Sequence, residues 1–240
     1  MEIDQGRCVG CLECLDYCPM EAIKEDPAKG EVFIDQDECV ECSCCLRGDI
    51  CPVEAISQQE LKWPRTLRAQ FSEMGHPHPS TGGRGRGTQE MKTNDMTGRY
   101  PRGRIGIGIE LGRPGTGTRF RDLEKVTTAL ALPGIEFEEG NPVYALFADP
   151  AKGKLKEEVL DEKVLSAIVE ISTTPDQVPG ILRILRQVAE QVDTVFSVGM
   201  ASLLEPDGSC PAEAIVREAG FDICPNGKNN IGLGRPLAKL

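Results

Sequence analysis

Near its N-terminus the chain reads Cys8-Val-Gly-Cys11-Leu-Glu-Cys14-Leu-Asp-Tyr-Cys18-Pro19. A related run follows as Cys39-x2-Cys42-x2-Cys45-x5-Cys51-Pro52. The tripeptide Ile-Asp-Gln precedes each run, at 3–5 and at 34–36. The related sequences Cys-Pro-Met-Glu-Ala-Ile (18–23) and Cys-Pro-Val-Glu-Ala-Ile (51–56) end them. The chain therefore repeats one cysteine-rich unit within its first quarter.

These cysteines indicate metal ligation rather than a disulfide framework. Nine of the eleven lie in the first 51 residues at short, regular spacings. The N-terminus has neither the basic start nor the apolar stretch of a secretory leader, so we expect a cytoplasmic location. In a cytosolic chain such spacing is typical of metal sites. Zinc would need one group of four ligands, not two interleaved runs that each end in Cys-Pro.

The repeat resembles the bacterial two-cluster ferredoxin family over residues 1–62. In that family three close cysteines hold one face of a cubane, and the fourth cysteine of each run serves the other cluster. The resemblance implies two [4Fe–4S] clusters with crossed ligands. Cluster one would be held by Cys8, Cys11, Cys14 and Cys51, and cluster two by Cys39, Cys42, Cys45 and Cys18. Crossed ligands would tie the two halves together in place of a large core.

The spacing suits such clusters, although the second run departs from the family pattern. Two intervening residues let a tight loop aim successive thiolates at neighbouring irons while N–H groups point at the sulfides. The second run has five residues, 46–50, where three are usual, and an extra thiol, Cys44. The register of the first run favours Cys45 as the ligand and Cys44 as a packed thiol.

Charge divides the chain into three parts. The formal charge of −11 consists of −10 in residues 1–62, +7 in 63–121 and −8 in 122–240. An acidic first part is typical of electron carriers that meet partners through complementary charge. The only aromatic residues of the basic part are scattered (Trp63, Phe71, Tyr100 and Phe120). Because they form no stacking platform, we expect no nucleic-acid partner.

No apolar run approaches the ~18 residues of a membrane helix, so we expect no membrane insertion. Residues 63–103 are rich in Gly, Arg and Pro and bury little. They are either a linker or a docking segment that orders against an acidic partner or an anionic cofactor. His76 and His78, the only histidines, lie here, and we do not expect this pair alone to bind metal.

Residues 104–200 predict an α+β domain that follows the ferredoxin module. Residues 104–111 alternate as a strand, and apolar positions from Phe120 to Leu130 recur at helical spacing. Strand candidates at 135–137, 143–148, 164–172 and 194–200 and a helix at 181–192 complete two β–turn–α–β units. This order predicts a split βαβ plait. Asp176-Gln-Val-Pro-Gly180 and the apolar helix after it make the second unit similar to an ACT domain, which binds small molecules.

A glycine-rich loop after the first strand of this domain is a candidate phosphate or flavin site. Its backbone N–H groups and the following helix would face the anion. The residues concerned are Gly112, Arg113, Gly115, Gly117, Arg119 and Arg121. The alternative is a structural turn that needs glycine for positive φ.

The C-terminal extension, residues 201–240, contains Cys210-Pro and Cys224-Pro. With Cys44 these make three spare thiols, one short of the four that a standard cluster needs. We therefore interpret Cys210-Pro as a helix start, since proline is favoured in the first helical turn.

Together these features predict an iron–sulfur subunit that delivers low-potential electrons to a reductase in a hetero-complex of anaerobic metabolism. A ferredoxin followed by a segment with Gly87-Thr-Gln-Glu-Met-Lys-Thr-Asn-Asp95 resembles the iron–sulfur portion of 6-hydroxynicotinate reductases. That resemblance implies reduction of an aromatic N-heterocycle, with a flavin in this chain or its partner. Two alternatives stay open: the chain is itself the flavin-dependent reductase, or it is a redox-sensing regulator whose ACT-like half binds a metabolite.

Overall fold

The computed structural model describes residues 1–77, 91, 94–113 and 115–224, and within these it combines helices with short strands. His78 and the rest of the glycine- and arginine-rich centre of the predicted linker or docking segment, residues 78–90, lie outside the described residues. So do most of the motif at 87–95 and residues 225–240 of the predicted C-terminal extension.

The first part of the fold, which we call the cysteine module, comprises residues 1–57. Strands β1 (Glu2–Ile3) and β4 (Ile56–Ser57) pair antiparallel, with Ile3 opposite Ile56. Strands β2 (Ile23–Asp26) and β3 (Glu31–Ile34) form a second antiparallel pair. The single-turn helix α1 (Cys44–Arg47) lies between β3 and β4. Because these elements are short, the core between them is small.

Helix α2 (Thr66–Ser72) falls within the predicted linker and belongs to the second core of the protein. Leu67 and Phe71 are four residues apart and therefore lie on one helix face. Both are buried, and Phe71 packs edge to face against Phe120. Two apolar residues are too short a pattern to predict a helix from sequence. Helix α3 (Asn94–Thr97) also lies in this segment.

The second part, the sheet domain, comprises residues 105–201. Its four-stranded antiparallel sheet has the order β12-β5-β11-β7. The strands are β5 (Ile105–Leu111), β7 (Glu136–Phe137), β11 (Ala167–Thr173) and β12 (Phe196–Ala201). Helices α4 (Phe120–Leu130) and α5 (Val178–Ala189) connect them. Shorter strands complete the domain: β6 (Thr118–Arg119), β8 (Phe147–Asp149), β9 (Lys154–Leu155) and β10 (Lys163–Val164).

Isoleucine and glycine alternate along β5, so the isoleucines lie on one face of the sheet and the glycines on the other. Ile107 and Ile109 are fully buried and pack in one core with Phe120 of α4 and Ile181 of α5. Each fully buried side chain of this kind stabilises the fold by about 1.5–3 kcal/mol. Both helices therefore cover the same face of the sheet.

The residues that precede β5 cover the opposite face. A Cβ atom built on Gly106 would lie 2.3 Å from the ring of Tyr100, which is buried. The Asn94 side chain holds Tyr100 by accepting from its N–H at 2.7 Å and donating to its carbonyl at 3.1 Å. Arg99 pairs with Glu138 of the sheet domain. Residues 94–104 thus lie against the protein's own sheet.

Three predicted elements differ in detail from the structure. The strand predicted at 164–172 is divided into β10 and β11, which belong to different sheets. Helix α5 begins at Val178, three residues before the predicted start, because Pro179 suits the first helical turn, where no N–H partner is needed. One strand was predicted at residues 143–148. The structure instead has a 3-10 turn, Tyr144–Leu146, followed by the three-residue strand β8. The C-terminal helix α6 (Pro211–Glu218) begins directly after Cys210 and packs near α5, where Arg186 lies over the ring of Phe221.

Candidate metal centres

Four cysteines surround a first cavity in the cysteine module. Cavity one contains about 350 Å³ of space and is lined by apolar residues that include Ile3, Val32 and Ile56. The cysteines in its wall are Cys8, Cys11, Cys14 and Cys51. Three of these belong to the first run, and Cys51 ends the second. The structure thus brings together the four residues that the resemblance assigns to one cluster.

A second cavity of about 330 Å³ has the complementary set of cysteines. Its wall contains Cys18, Cys39, Cys42 and Cys45, together with apolar residues that include Met20 and Ile34. Cys18 ends the first run, while the other three belong to the second. Each cavity therefore presents four soft thiolate donors in an apolar surround, a donor set that fits an iron–sulfur cluster.

The two runs share an unusual backbone conformation at equivalent positions. Leu12 and Ser43, each following the second cysteine of a run, have φ of 65° and 57°. Glu21 and Glu54, three residues after each final cysteine, have φ of 50° and 49°. A non-glycine residue in this region costs about 1–3 kcal/mol and concentrates at functional sites. Such turns aim successive N–H groups at one side of the backbone, which suits an anion.

The final cysteine of each run accepts a backbone hydrogen bond. The N–H of Ala22 donates to Cys18 Sγ at 3.2 Å, and that of Ala55 donates to Cys51 Sγ at 3.1 Å. Burial raises the pKa of Cys51, but the backbone donors, led by Ala55, outweigh it and hold the pKa below its ordinary value. Hydrogen bonds to sulfur favour the charged ligand form.

The cysteines of cavity two are more deeply buried. Burial is the main cause that raises the pKa of Cys42 to about 12 and that of Cys45 to about 11. Thiolates in such a place need a compensating positive charge. Bound iron would supply that charge, because metal binding requires and stabilises the deprotonated thiol.

A charged network that the sequence did not indicate lies beside cavity two. Glu41 is fully buried between Cys39 and Cys42 and accepts from Arg65 at 2.6 Å and from the Met1 ammonium at 2.7 Å. Burial raises the pKa of Glu41, but these cations hold it below the ordinary value. The only sequence signal was an acid inside a cysteine run, and its partners are too distant in sequence to identify.

Helix α2 also supports the loop of cavity two. Arg68 is 5% exposed, and its Nη1 donates to the carbonyl oxygens of Gln36, Asp37 and Cys39 at 2.8–3.0 Å. Its Nε pairs with Glu162 of the sheet domain. One buried guanidinium thus links the loop that carries Cys39 to the second half of the protein.

The extra cysteines are not part of either cavity wall, although Cys44 contacts the wall cysteine Cys42. Cys44 begins α1 and is half-buried against the core of the cysteine module, with Arg47 Nη2 3.9 Å from its sulfur. Cys210 precedes Pro211 at the start of α6, beside Ser202, and Cys224 is exposed. Proline in the first turn of α6 accords with the interpretation of Cys210-Pro as a helix start.

The predicted phosphate or flavin loop has its basic side chains already engaged by different acids. Arg113 pairs with Glu110, and Arg121 pairs with Asp161. Arg119 contacts carboxylates of the cysteine module. The three guanidinium groups therefore contact three different sets of carboxylates and do not converge on one anion site.

The glycines of this loop differ in the space around them. A Cβ on Gly112 would lie 2.8 Å from the carbonyl oxygen of Leu165, and one on Gly117 would lie 2.6 Å from Met20. Both glycines also have positive φ, 79° and 71°. Gly115 has open space around it. Close packing accounts for glycine at the first two positions.

Within the described residues, no helix is long and apolar enough to cross a membrane.

The comparisons with known proteins concern the N-terminal segment. Residues 1–24 match the family model described as 4Fe-4S binding domain. The ferredoxin of Methanothermococcus thermolithotrophicus is 38% identical over 60 residues, which are 24% of this chain and 95% of that ferredoxin. No solved structure matches the chain significantly.

Two further relatives are subunits of larger enzymes. Pyruvate synthase subunit PorD of Methanocaldococcus jannaschii is 41% identical over 56 residues, 23% of this chain and 62% of the subunit. Indolepyruvate oxidoreductase subunit IorA of Methanothermobacter thermautotrophicus is 43% identical over 61 residues, 25% of this chain and 9% of the subunit. The likeness again covers a quarter of the chain. Through its N-terminal segment, the chain belongs to the bacterial-type 4Fe–4S ferredoxin family.

Proposed function

We propose that this chain is an iron–sulfur electron-transfer subunit of an oxidoreductase complex and that it holds two [4Fe–4S] clusters. The observation that carries the proposal is the pair of cavities, each walled by three cysteines of one run and the last cysteine of the other. The ligands would be Cys8, Cys11, Cys14 and Cys51 for cluster one, and Cys39, Cys42, Cys45 and Cys18 for cluster two.

The chain's own residues prepare these sites for an anionic cofactor. Bound cubanes supply one electron at a time. Backbone N–H donors at Ala22 and Ala55 stabilise negative charge on sulfur, and the apolar walls limit the access of water. With the eight wall cysteines as ligands, every iron of both clusters would be coordinated by a thiolate. Neither cluster would then keep an open position for a substrate. A relay of electrons follows from this arrangement more directly than catalysis does.

The partner is therefore proposed to carry the chemistry. Reduction of a difficult substrate needs a two-electron cofactor and placed proton donors. PorD and IorA are named as subunits of pyruvate synthase and indolepyruvate oxidoreductase, which supports a similar place for this chain in a hetero-complex. An aromatic N-heterocycle as the substrate, anaerobic metabolism and a cytoplasmic location stay predictions. The pairing of Arg113, Arg119 and Arg121 with carboxylates weakens the case for an anionic cofactor at this loop, and a flavin in this chain or its partner stays a prediction.

We also propose that the sheet domain is a split βαβ plait. The chain order β5-α4-β7-β11-α5-β12 and the strand order β12-β5-β11-β7 support this assignment. The two helices cover one face of the sheet, as such a plait requires. Metabolite binding by an ACT-like half stays a prediction.

Electron transfer by the isolated holoprotein tests the proposed function. Reduced anaerobically, the protein should pass electrons to artificial one-electron acceptors and should turn over no heterocyclic substrate. Flavin released on denaturation should be well below one per chain. Stoichiometric flavin together with substrate reduction by the chain alone would overturn the proposal and favour the enzyme alternative.

A further inference from the structure

The two cavities differ in what covers them. Around cavity two, the sheet domain packs directly on the cysteine module: Gly117 contacts Met20, and Leu165 joins the module's core. Cys39 and Cys42 are 8% and 9% exposed. The half of the module that contains cavity two is thus turned towards the protein's own second domain.

Cavity one has no such cover within the described residues. Cys11 in its wall is exposed, and so are the apolar side chains Val9 (64%) and Leu12 (37%) on either side of it. Exposed apolar residues are unremarkable when single. Here two of them border a wall cysteine in the same loop, and exposing a cluster ligand to solvent serves no packing purpose.

The acids around the two cavities also differ in their partners. Beside cavity two, Asp37 pairs with Arg119, Glu38 with Lys163, and Glu41 with Arg65. Arg119 and Lys163 belong to the sheet domain and Arg65 directly precedes α2, so the chain neutralises this half of the module itself. The interface between the sheet domain and the cysteine module therefore combines apolar contacts with ion pairs.

The acids of the first run lack such neutralisation in the described part of the chain. Glu13 and Asp16 are exposed, and no ion pair among the described residues involves either of them. The nearby base, Arg7, is occupied by Glu54 at 3.4 Å. A surface with exposed apolar side chains beside unpaired carboxylates is complementary to a partner surface with an apolar patch surrounded by lysines or arginines.

We propose that Val9, Cys11, Leu12, Glu13 and Asp16 form a docking face through which cluster one exchanges electrons with a basic partner protein. The sheet domain leaves this face free while it covers the other half of the module. The occupant is a protein with lysines or arginines around a small apolar patch, the same combination that the sheet domain presents to the second half. This inference rests on the proposed function, since it assumes that cavity one holds a cluster.

A basic c-type cytochrome is a suitable probe, because it combines positive charge around an exposed haem edge with a one-electron acceptor. Calorimetry with the anaerobic holoprotein would give the affinity, and zero-length carbodiimide coupling followed by mass spectrometry would identify the carboxylates in contact. We expect coupling to concentrate at Glu13 and Asp16. Iron and sulfide content, measured first, separates a failure of the proposed function from a failure of the docking face.

Matched variants make the test specific. Glu13→Gln/Asp16→Asn should weaken the cytochrome affinity about threefold to tenfold at low salt, as expected for two rim charges. The loss should shrink in 0.5 M salt, where exposed charges are screened. The control Glu157→Gln/Glu158→Gln removes the same charge from an exposed turn of the sheet domain and should change the affinity less than about twofold.

A second pair of variants examines the apolar part of the face. Leu12→Asn introduces a residue that tolerates the positive φ of this position, and it should weaken binding at both salt concentrations. Leu204→Asn replaces another exposed leucine outside the face and should not weaken binding. Equal effects of the face and control variants, coupling confined to other acids, or no binding by the wild-type holoprotein would each overturn the docking face.

Discussion

The Nη1 atom of Arg68 donates a hydrogen bond to the backbone carbonyl oxygen of Cys39 at 2.8 Å, inside the protein. The same guanidinium contacts two further carbonyl oxygens of that loop and pairs with Glu162 of the sheet domain. A proposed cluster ligand and the second domain therefore share one buried cation. The sheet domain is thereby part of the support of cavity two, and the Arg68 variants test that relationship.

Replacing Arg68 should destabilise the whole protein. Arg68→Gln leaves Glu162 and three carbonyl oxygens without their cation, and removal of one member of a buried pair costs about 3–5 kcal/mol. Arg68→Lys should recover part of the loss, because one ammonium cannot reach all four acceptors. Anaerobic chemical denaturation, followed by circular dichroism and cluster absorbance, measures the effect.

Arg121→Gln is the matched control for Arg68, since the Arg121–Asp161 pair is exposed to solvent. An exposed pair contributes about 0–1 kcal/mol. A cost at Arg68 no larger than the cost at Arg121 would contradict the assigned role of Arg68.

The crossed ligands predict an unusual pattern of cluster loss. Cys18→Ala should damage mainly the cluster held by the second run, and Cys51→Ala mainly the cluster held by the first. The reason is that each of these cysteines lies in the wall of the other run's cavity. Cys44→Ala should leave both clusters intact, because Cys44 lies in neither wall. Electron paramagnetic resonance of the reduced variants distinguishes the two clusters, and damage confined to each variant's own run would contradict the crossing.

Gly106 tests whether residues 94–104 are held against the sheet. Gly106→Ala would place a Cβ atom 2.3 Å from the Tyr100 ring, so Tyr100 must leave its site. We expect faster hydrogen exchange in residues 94–104, together with a loss of stability of about 1–3 kcal/mol from overpacking. Gly180→Ala is the control: Gly180 lies in α5 with open space around it, and alanine there should be neutral or stabilise by up to about 1 kcal/mol. Unchanged exchange in Gly106→Ala would contradict this packing.

Local patterns in the sequence predicted the parts of the protein that depend on local spacing. The cysteines of each run lie close together because two-residue gaps constrain the loop, and β5 and α4 follow from alternation and helical spacing. Helix α2 was missed because Leu67 and Phe71 are its only large apolar residues. The cations beside cavity two were missed because Arg68 meets Cys39 across 29 residues and Glu162 across 94. Interactions over such separations leave no periodic signal in one sequence.

The sequence could not predict that the sheet domain covers only one half of the cysteine module, for the same reason. Both runs carry the pattern Cys-x2-Cys-x2-Cys, which does not indicate which of them faces the second domain. Only the folded arrangement reveals that Arg119 and Lys163 neutralise acids just before the second run while Glu13 and Asp16 of the first run are exposed. Equivalent sequence units have thus acquired an inner and an outer position in the fold.

Metal analysis of anaerobically purified protein, combined with paramagnetic resonance, determines whether this chain holds two clusters. Two cubanes require about eight iron and about eight acid-labile sulfide per chain, and full reduction should give the broadened spectrum of two interacting paramagnets. A fully loaded protein with about four iron per chain and the spectrum of one isolated cluster would show that the chain holds one cluster, not two.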